Sequence, residues 1–132
     1  MGTRNRGNKD LRAETKGIRK AVIRKTLSEI NRLCRKFNIK IFLCDVTNTT
    51  AIIRFGVEID IFIQVYVNEQ KEKLDLALVV KGERLYGFDA EGGIYHEHPY
   101  ENPETHLERH KIKDLEEFVL KSLEILKEKR IL

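Results

Sequence analysis

The sequence has little of what secreted and membrane proteins rely on. It contains 2 Cys, 2 Pro, 1 Met and no Trp among 132 residues, and two cysteines are too few for a disulfide framework. No run approaches the roughly 20 apolar residues of a membrane-spanning helix, and the polar, basic start lacks a signal-peptide core. We therefore expect no membrane association and a cytoplasmic location.

Length and composition fit one globular domain. Apolar residues make up 41% and charged residues 35% of the chain, which is too much apolar content for general disorder, and 132 residues leave room for a single core. The charges are divided unevenly, however. Residues 1–40 contain 13 Lys and Arg against 3 Asp and Glu, whereas residues 41–132 contain 12 against 18.

The basic segment predicts an arm followed by a helix. Residues 1–9 have no apolar anchor, so we expect them to form a disordered basic arm. From Asp10, the expected N-cap, to about Phe37, apolar residues recur with the helical period. The opposite side of this helix bears the predicted nucleic-acid-binding residues Lys20, Arg24, Lys25, Arg32, Arg35 and Lys36. A one-sided basic face is typical of phosphate binding and predicts RNA as a partner; a solvated face, or a docking face for an acidic protein segment, is the alternative.

After Asn38 the apolar period changes from 3.6 to 2, which predicts strands. We expect them at about 39–44, 49–57, 58–67, 74–80, 84–89 and 94–98, with Ala90–Gly93 as a four-residue hairpin loop. Pro99 and Pro103 predict a loop over 99–112. Asp114 and Glu117 have the spacing of a capping box and predict a final helix to about Arg130. The expected fold is therefore α+β, a single domain over 10–132, with a long basic N-terminal helix, an antiparallel sheet of five or six strands and a C-terminal helix.

All four histidines fall within Tyr95–His110. His96 and His98 are two apart on a predicted strand and face the same side. If Asp89 pairs with Ile94, Asp89 lies on that side as well, diagonal to His96 and within about 7–8 Å. A carboxylate can orient an imidazole, and two imidazoles can supply a general acid and a general base. His96, His98 and Asp89 are therefore the predicted catalytic residues, a set suited to metal-independent phosphodiester cleavage by an internal 2′-hydroxyl, with no cofactor.

Other interpretations of these residues stay open. The His-x-His segment, next to Glu97, is also typical of a solvated polar strand edge. Imidazoles from His96, His98, His106 and His110 suggest a metal site, but their spacing matches no compact zinc signature and we expect none. Five aromatic residues can either stack on bases or pack in the core: Tyr66, Tyr86, Phe88, Tyr95 and Tyr100.

The segment Gly82–Leu120 resembles the C-terminal half of the TumE-like family of toxins from toxin–antitoxin pairs. In that family an aromatic-Asp-Asn step, a Gly-containing turn and a His-x-His precede a loop and an acidic, Leu-rich helix. The corresponding stretches here are Gly87-Phe88-Asp89, Glu91-Gly92-Gly93, His96-Glu97-His98 and Asp114-Leu115-Glu116-Glu117-Phe118. The chain departs from the family at Ala90, where an Asn is usual, and its turn is about one residue shorter.

The resemblance implies a growth-inhibiting toxin that acts on RNA and is held inactive by a helix-turn-helix antitoxin protein. The ribonuclease reaction is an inference from Asp89, His96 and His98. A homodimer is left open. The alternative is a non-catalytic module that binds nucleic acid or another protein.

Overall fold

The chain is described by a computed structural model over residues 8–92, 94–100, 107–109 and 114–132. Side chains are described for 22–92, 94–100 and 114–132. Within these ranges no helix combines the length and the apolar character that crossing a membrane requires.

The elements follow one another as a helix, a meander of strands and a second helix. In chain order they are α1 Asn8–Phe37, β1 Lys40–Val46, β2 Thr50–Glu58, β3 Ile61–Asn68, β4 Lys73–Val80, β5 Glu83–Glu91, β6 Ile94–His98, β7 Leu107–Arg109 and α2 Leu115–Glu128. The strands pair in sequence order, every pair antiparallel. The predicted α+β class, with a helix at each end of an antiparallel sheet, is confirmed.

The sheet gains one short strand that the sequence did not predict. Leu107–Arg109 pairs with β6, so the prediction of a loop over all of 99–112 is wrong at these residues. An exposed sheet edge offers unpaired N–H and C=O groups to any extended segment nearby, and this segment lies beyond both prolines. β7 therefore covers the edge of the strand that contains His96 and His98.

The boundaries of α1 differ slightly from the prediction. The helix includes Asn8, so Asp10 lies in its first turn rather than capping it; an acidic residue is favourable there because of the helix dipole. The predicted arm falls mainly on residues 1–7, which lie outside the described residues. At the other end Asn38 adopts a left-handed conformation with φ 56°, and the N–H of Ile39 donates to the carbonyl of Cys34 at 3.0 Å. This left-handed ending stops the helix and releases the chain into β1.

The two faces of the sheet have different surroundings. One face, here called the covered face, packs against the helices through side chains that are buried on every central strand: Ile53, Phe55, Ile63, Val65, Leu76, Leu78, Tyr86 and Phe88. Ile30 and Leu33 of α1 are fully buried in the same core. From α2, the ring of Phe118 stacks on Tyr86 with 4.8 Å between centroids. Burial of these groups is the main source of the fold's stability.

The residues that alternate with this core lie on the opposite, open face. They are Arg54, Phe62, Gln64, Tyr66, Asp75, Ala77, Asp89, His96 and His98. Most are half-buried rather than buried. Polar and aromatic side chains thus lie on the side of the sheet away from α1 and α2.

Ion pairs link the two helices. Glu116 accepts from Arg32 at 2.6 Å and from Lys36 at 2.5 Å, and Arg32 also pairs with Glu29 at 2.8 Å. Asp114 occupies the N-cap position of α2 but makes no side-chain capping bond, so the predicted capping box does not form. The acidic first turn is stabilised instead by these cations and by the helix dipole.

Two hairpin turns set the register between β4, β5 and β6. Between β4 and β5, Lys81 and Gly82 have φ of 50° and 82°, the conformation of a two-residue turn that matches strand twist. Between β5 and β6, Glu91 pairs with Ile94, so the loop has two residues and the predicted four-residue loop Ala90–Gly93 is wrong. Gly92, with φ 57°, makes the tighter turn accessible because it has no side chain to strain.

Candidate active site

The strand register brings the predicted catalytic residues together on the open face. Asp75 pairs with Asp89, and Asp89 pairs with His96, so these three lie side by side on consecutive strands. His98 pairs with Gly87, one step further along. Asp89 is therefore opposite His96 rather than opposite Ile94 as predicted, but it remains on the predicted side because the shift is even.

Asp89 contacts His98 directly. The Nε2 of His98 lies 2.7 Å from Oδ2 of Asp89. The guanidinium Nη2 of Arg84 lies 3.4 Å from Nδ1 of the same ring. A guanidinium can only donate, so Nδ1 accepts and Nε2 bears the proton that it donates to Asp89; the tautomer is assigned from these partners. The result is a line of three polar groups, Arg84–His98–Asp89.

Gly87 creates the room for this line. A Cβ at Gly87 would lie 3.2 Å from the carbonyl oxygen of Leu76 and 3.3 Å from Cδ of Arg84. Because Gly87 has no side chain, the aliphatic part of Arg84 can pass over the backbone toward His98. The glycine next to Phe88 and Asp89 in the sequence thus has a spatial role in the site.

The two histidines have different surroundings. His98 is 1% exposed and both ring nitrogens face side-chain partners, so its contacts suit it to hold Asp89 in place. His96 is half-buried and lines a pocket of about 490 Å³ together with Lys73, Asp75, Asp89, Glu91 and Ile94. Of the two histidines, His96 alone lines this pocket.

Asp75, which also lines this pocket, has a raised pKa. Burial and the negative charge of Asp89 raise the pKa of Asp75 to about 6, although the ammonium of Lys73 opposes the shift. Lys73 Nζ lies 3.6 Å from Oδ2 of Asp75, and no described residue hydrogen-bonds the buried Oδ1. A carboxyl that titrates near neutral pH and an imidazole that lines the same pocket are groups that can transfer protons.

Ala90 does not interrupt the site. Its side chain is 5% exposed and packs in the core, on the face opposite to Asp89. The departure from the family's usual Asn therefore removes no polar group from the open face of this chain.

The predicted basic residues lie on a different side of the molecule. α1 packs on the covered face, as shown by the cavity that Lys25 and Thr26 form with Val65 and Leu76. Arg24, Lys25 and Arg35 are exposed there, whereas Arg32 and Lys36 are engaged with Glu116. The side chain of Lys20 lies outside those the structure describes. The sheet therefore separates the basic surface of α1 from the pocket.

The predicted aromatic residues also divide between the two faces. Tyr86 and Phe88 are buried, Tyr95 stacks on Phe88 with 6.4 Å between centroids, and Tyr100 packs against the core. Tyr66 alone of the five lies on the open face. Phe62, which the sequence analysis did not single out, joins Tyr66 there.

No group of three His, Cys, Asp or Glu side chains within the described ranges is arranged to hold a metal ion. Of the four histidines considered as ligands, His106 and His110 lie outside the described residues. The two cysteines are free: Cys34 is buried, as predicted for a small apolar residue, and Cys44 is exposed.

Three site residues were missed by the sequence analysis: Lys73, Asp75 and Arg84. One signal could have found Asp75, because it is the only charged residue inside the run Leu74–Val80, and an isolated charge in an apolar strand needs an explanation. Arg84 gave no such signal, because its contact with His98 depends on the path of its side chain across Gly87.

Comparisons of this chain with family models, with curated proteins and with solved structures found no match. The resemblance to the TumE-like family therefore stays a prediction from the residues quoted above.

Proposed function

We propose that this chain is a metal-independent ribonuclease and the toxin of a toxin–antitoxin pair. The observation that supports it best is the pocket on the open face, where His96 and Asp75 flank Asp89 and Asp89 is fixed by His98 at 2.7 Å. Two titratable groups on either side of a bound phosphodiester provide the two proton transfers that cleavage requires. The toxin role rests on the family resemblance.

In the proposed reaction Asp75 is the general base and His96 the general acid. Asp75 accepts the proton of a ribose 2′-hydroxyl, whose oxygen forms a bond to phosphorus. The bond from phosphorus to the 5′-oxygen breaks, and His96 gives its proton to that oxygen. The products are a 2′,3′-cyclic phosphate and a 5′-hydroxyl end. Asp75 takes the role that the sequence analysis gave to a second histidine, and His98 becomes a positioning residue for Asp89.

The charged side chains of the pocket affect both phosphate binding and the pH range in which cleavage occurs. Asp75, Asp89 and Glu91 are acidic, and the ammonium of Lys73 lies 3.6 Å from Asp75 and 3.9 Å from Glu91. A protonated His96 adds a second positive charge beside the phosphate. Cleavage should fall as the pH drops below about 6, because the raised pKa of Asp75 leaves the base protonated there.

The direct test is cleavage of a labelled RNA by the purified chain in excess chelator. We expect cyclic-phosphate products, and His96→Asn should lower the rate at least about 100-fold. Glu124→Gln, on the exposed side of α2, is the matched control and should leave the rate unchanged. Equal rates for the His96→Asn variant and the parent would refute the assignment.

The toxin role needs a cellular test. Expression of the chain should arrest growth, and His96→Asn should remove that effect. We propose that the antitoxin presents an acidic segment to the exposed basic residues of α1. Growth arrest that persists in the His96→Asn variant would count against RNA cleavage as its cause.

A second candidate function is a non-catalytic binding module. It is favoured by the burial of His98, which is 1% exposed and engaged by Arg84 and Asp89, as in a polar network that only stabilises a sheet. This alternative predicts salt-dependent RNA binding with no turnover and no effect of His96→Asn.

A further inference from the structure

The open face presents an aromatic and cationic surface beside the pocket. Arg54, Gln64, Phe62 and Tyr66 belong to adjacent positions of β2 and β3. Phe62 and Tyr66 stand on the same side of β3, four residues and therefore about 13 Å apart. Two aromatic rings with that separation can each stack on a base of an extended single strand.

The guanidinium of Arg54 can contact both a base and a phosphate. Its guanidinium carbon lies 4.9 Å from the centre of the Phe62 ring, and its Nε donates to Oε1 of Gln64 at 2.8 Å. Holding the guanidinium beside a ring reduces the freedom that binding would otherwise have to remove. Arg planes and aromatic rings are the surfaces on which single-stranded RNA bases stack.

This surface is continuous with the pocket. Tyr66 pairs with Asp75, which pairs with Asp89 and then His96 across the strands. Next to that row, Ala77 pairs with Gly87, and the aliphatic part of Arg84 lies over Gly87. A strand with one base on Tyr66 would extend along this row toward the pocket that His96 and Lys73 line.

The charges on this side of the sheet are mixed. The exposed cations of α1 lie on the covered side, where the sheet blocks any path to His96. Arg54 and Arg84 are on the same face as the pocket, and the pocket contributes Lys73 beside its carboxylates. The guanidinium groups of Arg54 and Arg84 complement the phosphates that flank the scissile bond.

We propose that single-stranded RNA binds across the open face, with bases stacked on Tyr66 and on the Phe62–Arg54 pair and phosphates contacted by Arg54 and Arg84. This inference rests on the proposed function, since it names where the substrate of the proposed ribonuclease lies. It assigns to the sheet the binding role that the sequence analysis gave to α1.

The test is fluorescence anisotropy with a 12-nucleotide 2′-O-methyl RNA, which lacks the 2′-hydroxyl and cannot be cleaved. Tyr66→Ala should weaken binding about 10-fold, the loss typical of one stacked base. Tyr66→Phe, which keeps the ring and loses the hydroxyl that accepts from Asn68, should restore the affinity. Arg54→Gln should weaken binding and reduce the salt dependence by about one phosphate contact.

Arg35→Gln is the matched control, because it removes the same charge from the exposed face of α1. It should leave the affinity unchanged. A loss for Arg35→Gln with none for Tyr66→Ala or Arg54→Gln would overturn the proposal and place RNA on the helix, and so would the absence of any binding.

The outcomes also separate this inference from the proposed function. Binding that depends on Tyr66 and Arg54, without cleavage of ordinary RNA, would refute the ribonuclease and leave the surface standing. Cleavage that is unaffected by Tyr66→Ala and Arg54→Gln would refute the surface and leave the ribonuclease standing. Thermal melts of each variant show whether a loss comes from unfolding.

Discussion

The two faces of the sheet are made by the same strands and do different things. On β5, Phe88 points into the core and is fully buried, while its neighbour Asp89 points to the open face and contacts His98. The covered face is mainly apolar, with the buried Glu97 as an exception, and is shielded by two helices. The open face exposes carboxylates, imidazoles and aromatic rings. Because side chains alternate along a strand, one segment contributes both to the core and to the polar open face.

Each face depends on a different kind of interaction. Core packing on the covered face gives a large free energy that depends on the buried apolar area rather than on ionisation. Interactions on the open face involve ionisable groups, so their contributions are smaller and vary with pH. Substitutions on the two faces should therefore differ in how much they lower the free energy of unfolding. They should also differ in whether that loss changes with pH.

The largest effect is expected in the core. Phe118→Ala removes the ring that stacks on Tyr86 and leaves a cavity among fully buried side chains, so it should lower the free energy of unfolding by about 3–5 kcal/mol. Chemical denaturation measures this. Leu43→Ala, on β1 where the side chain is 40% exposed, is the control and should cost less than about 1 kcal/mol. Similar losses for the two variants would mean that the faces do not differ as described.

The next effect concerns the contact between Asp89 and His98. Asp89→Ala leaves the buried Nε2–H of His98 without its acceptor and should cost about 1–3 kcal/mol. Asp89→Asn keeps an acceptor oxygen and should cost less. Asp45→Ala, an exposed carboxyl on the same face, is the control. If Asp45→Ala and Asp89→Ala prove equally mild in urea denaturation, the contact adds little to stability.

A smaller effect should depend on pH. Because burial and Asp89 raise the pKa of Asp75 from 3.8 to about 6, the folded chain binds this proton more tightly than the unfolded chain does. The stability that Asp75 provides is complete below pH 4 and is lost as the pH rises to 6. Asp75→Asn stays neutral at every pH, so above pH 6 it should be more stable than the parent by roughly 1 kcal/mol, after allowance for partial exposure.

The two proteins should have equal stability below pH 4, where Asp75 is protonated as well. Urea denaturation at a series of pH values measures the difference, with Asp45→Asn as a control that should show no such trend. A difference between Asp75→Asn and the parent that stays constant from pH 4 to pH 8 would contradict the raised pKa.

The smallest effect is expected where α1 meets α2. Arg32→Ala removes an exposed ion pair with Glu116 and should lower the melting temperature by only about 1–2 °C, since exposed pairs are weak. High salt should abolish the difference by screening. Arg24→Ala, one of the exposed cations of α1, is the control. A loss that persists in 1 M salt would point to lost packing of the Arg32 side chain.

Much of the fold could be predicted from the sequence. The change from a period of 3.6 to a period of 2 at Asn38 marked the end of α1 and the start of the sheet. The start of α1 was less accurate, because the helix begins at Asn8 rather than at the predicted cap Asp10. The start of α2 was predicted correctly at the N-cap Asp114, although the side-chain bond of a capping box does not form.

The site could be predicted only in part. The alternation of side chains along a strand predicted that Asp89, His96 and His98 lie on one face, because every second residue of a strand faces the same way. Which imidazole contacts Asp89 depended on the length of one turn, and Gly92 made that turn two residues shorter than predicted. The roles of the histidines therefore changed although their positions did not.

The sequence alone was enough to place Asp89, His96 and His98 on one face, since side chains alternate along an extended chain. A bulge between β4 and β5 brings Arg84 to the same face although it is an odd number of residues from Asp89, and this, like the contacts between different strands, depends on the tertiary structure. Asp75 lies beside Asp89 and His96 through the pairing of β4, β5 and β6, and Arg84 reaches His98 across Gly87. The tertiary structure also put the basic residues of α1 behind the sheet, because the apolar side of that helix had to pack on the covered face.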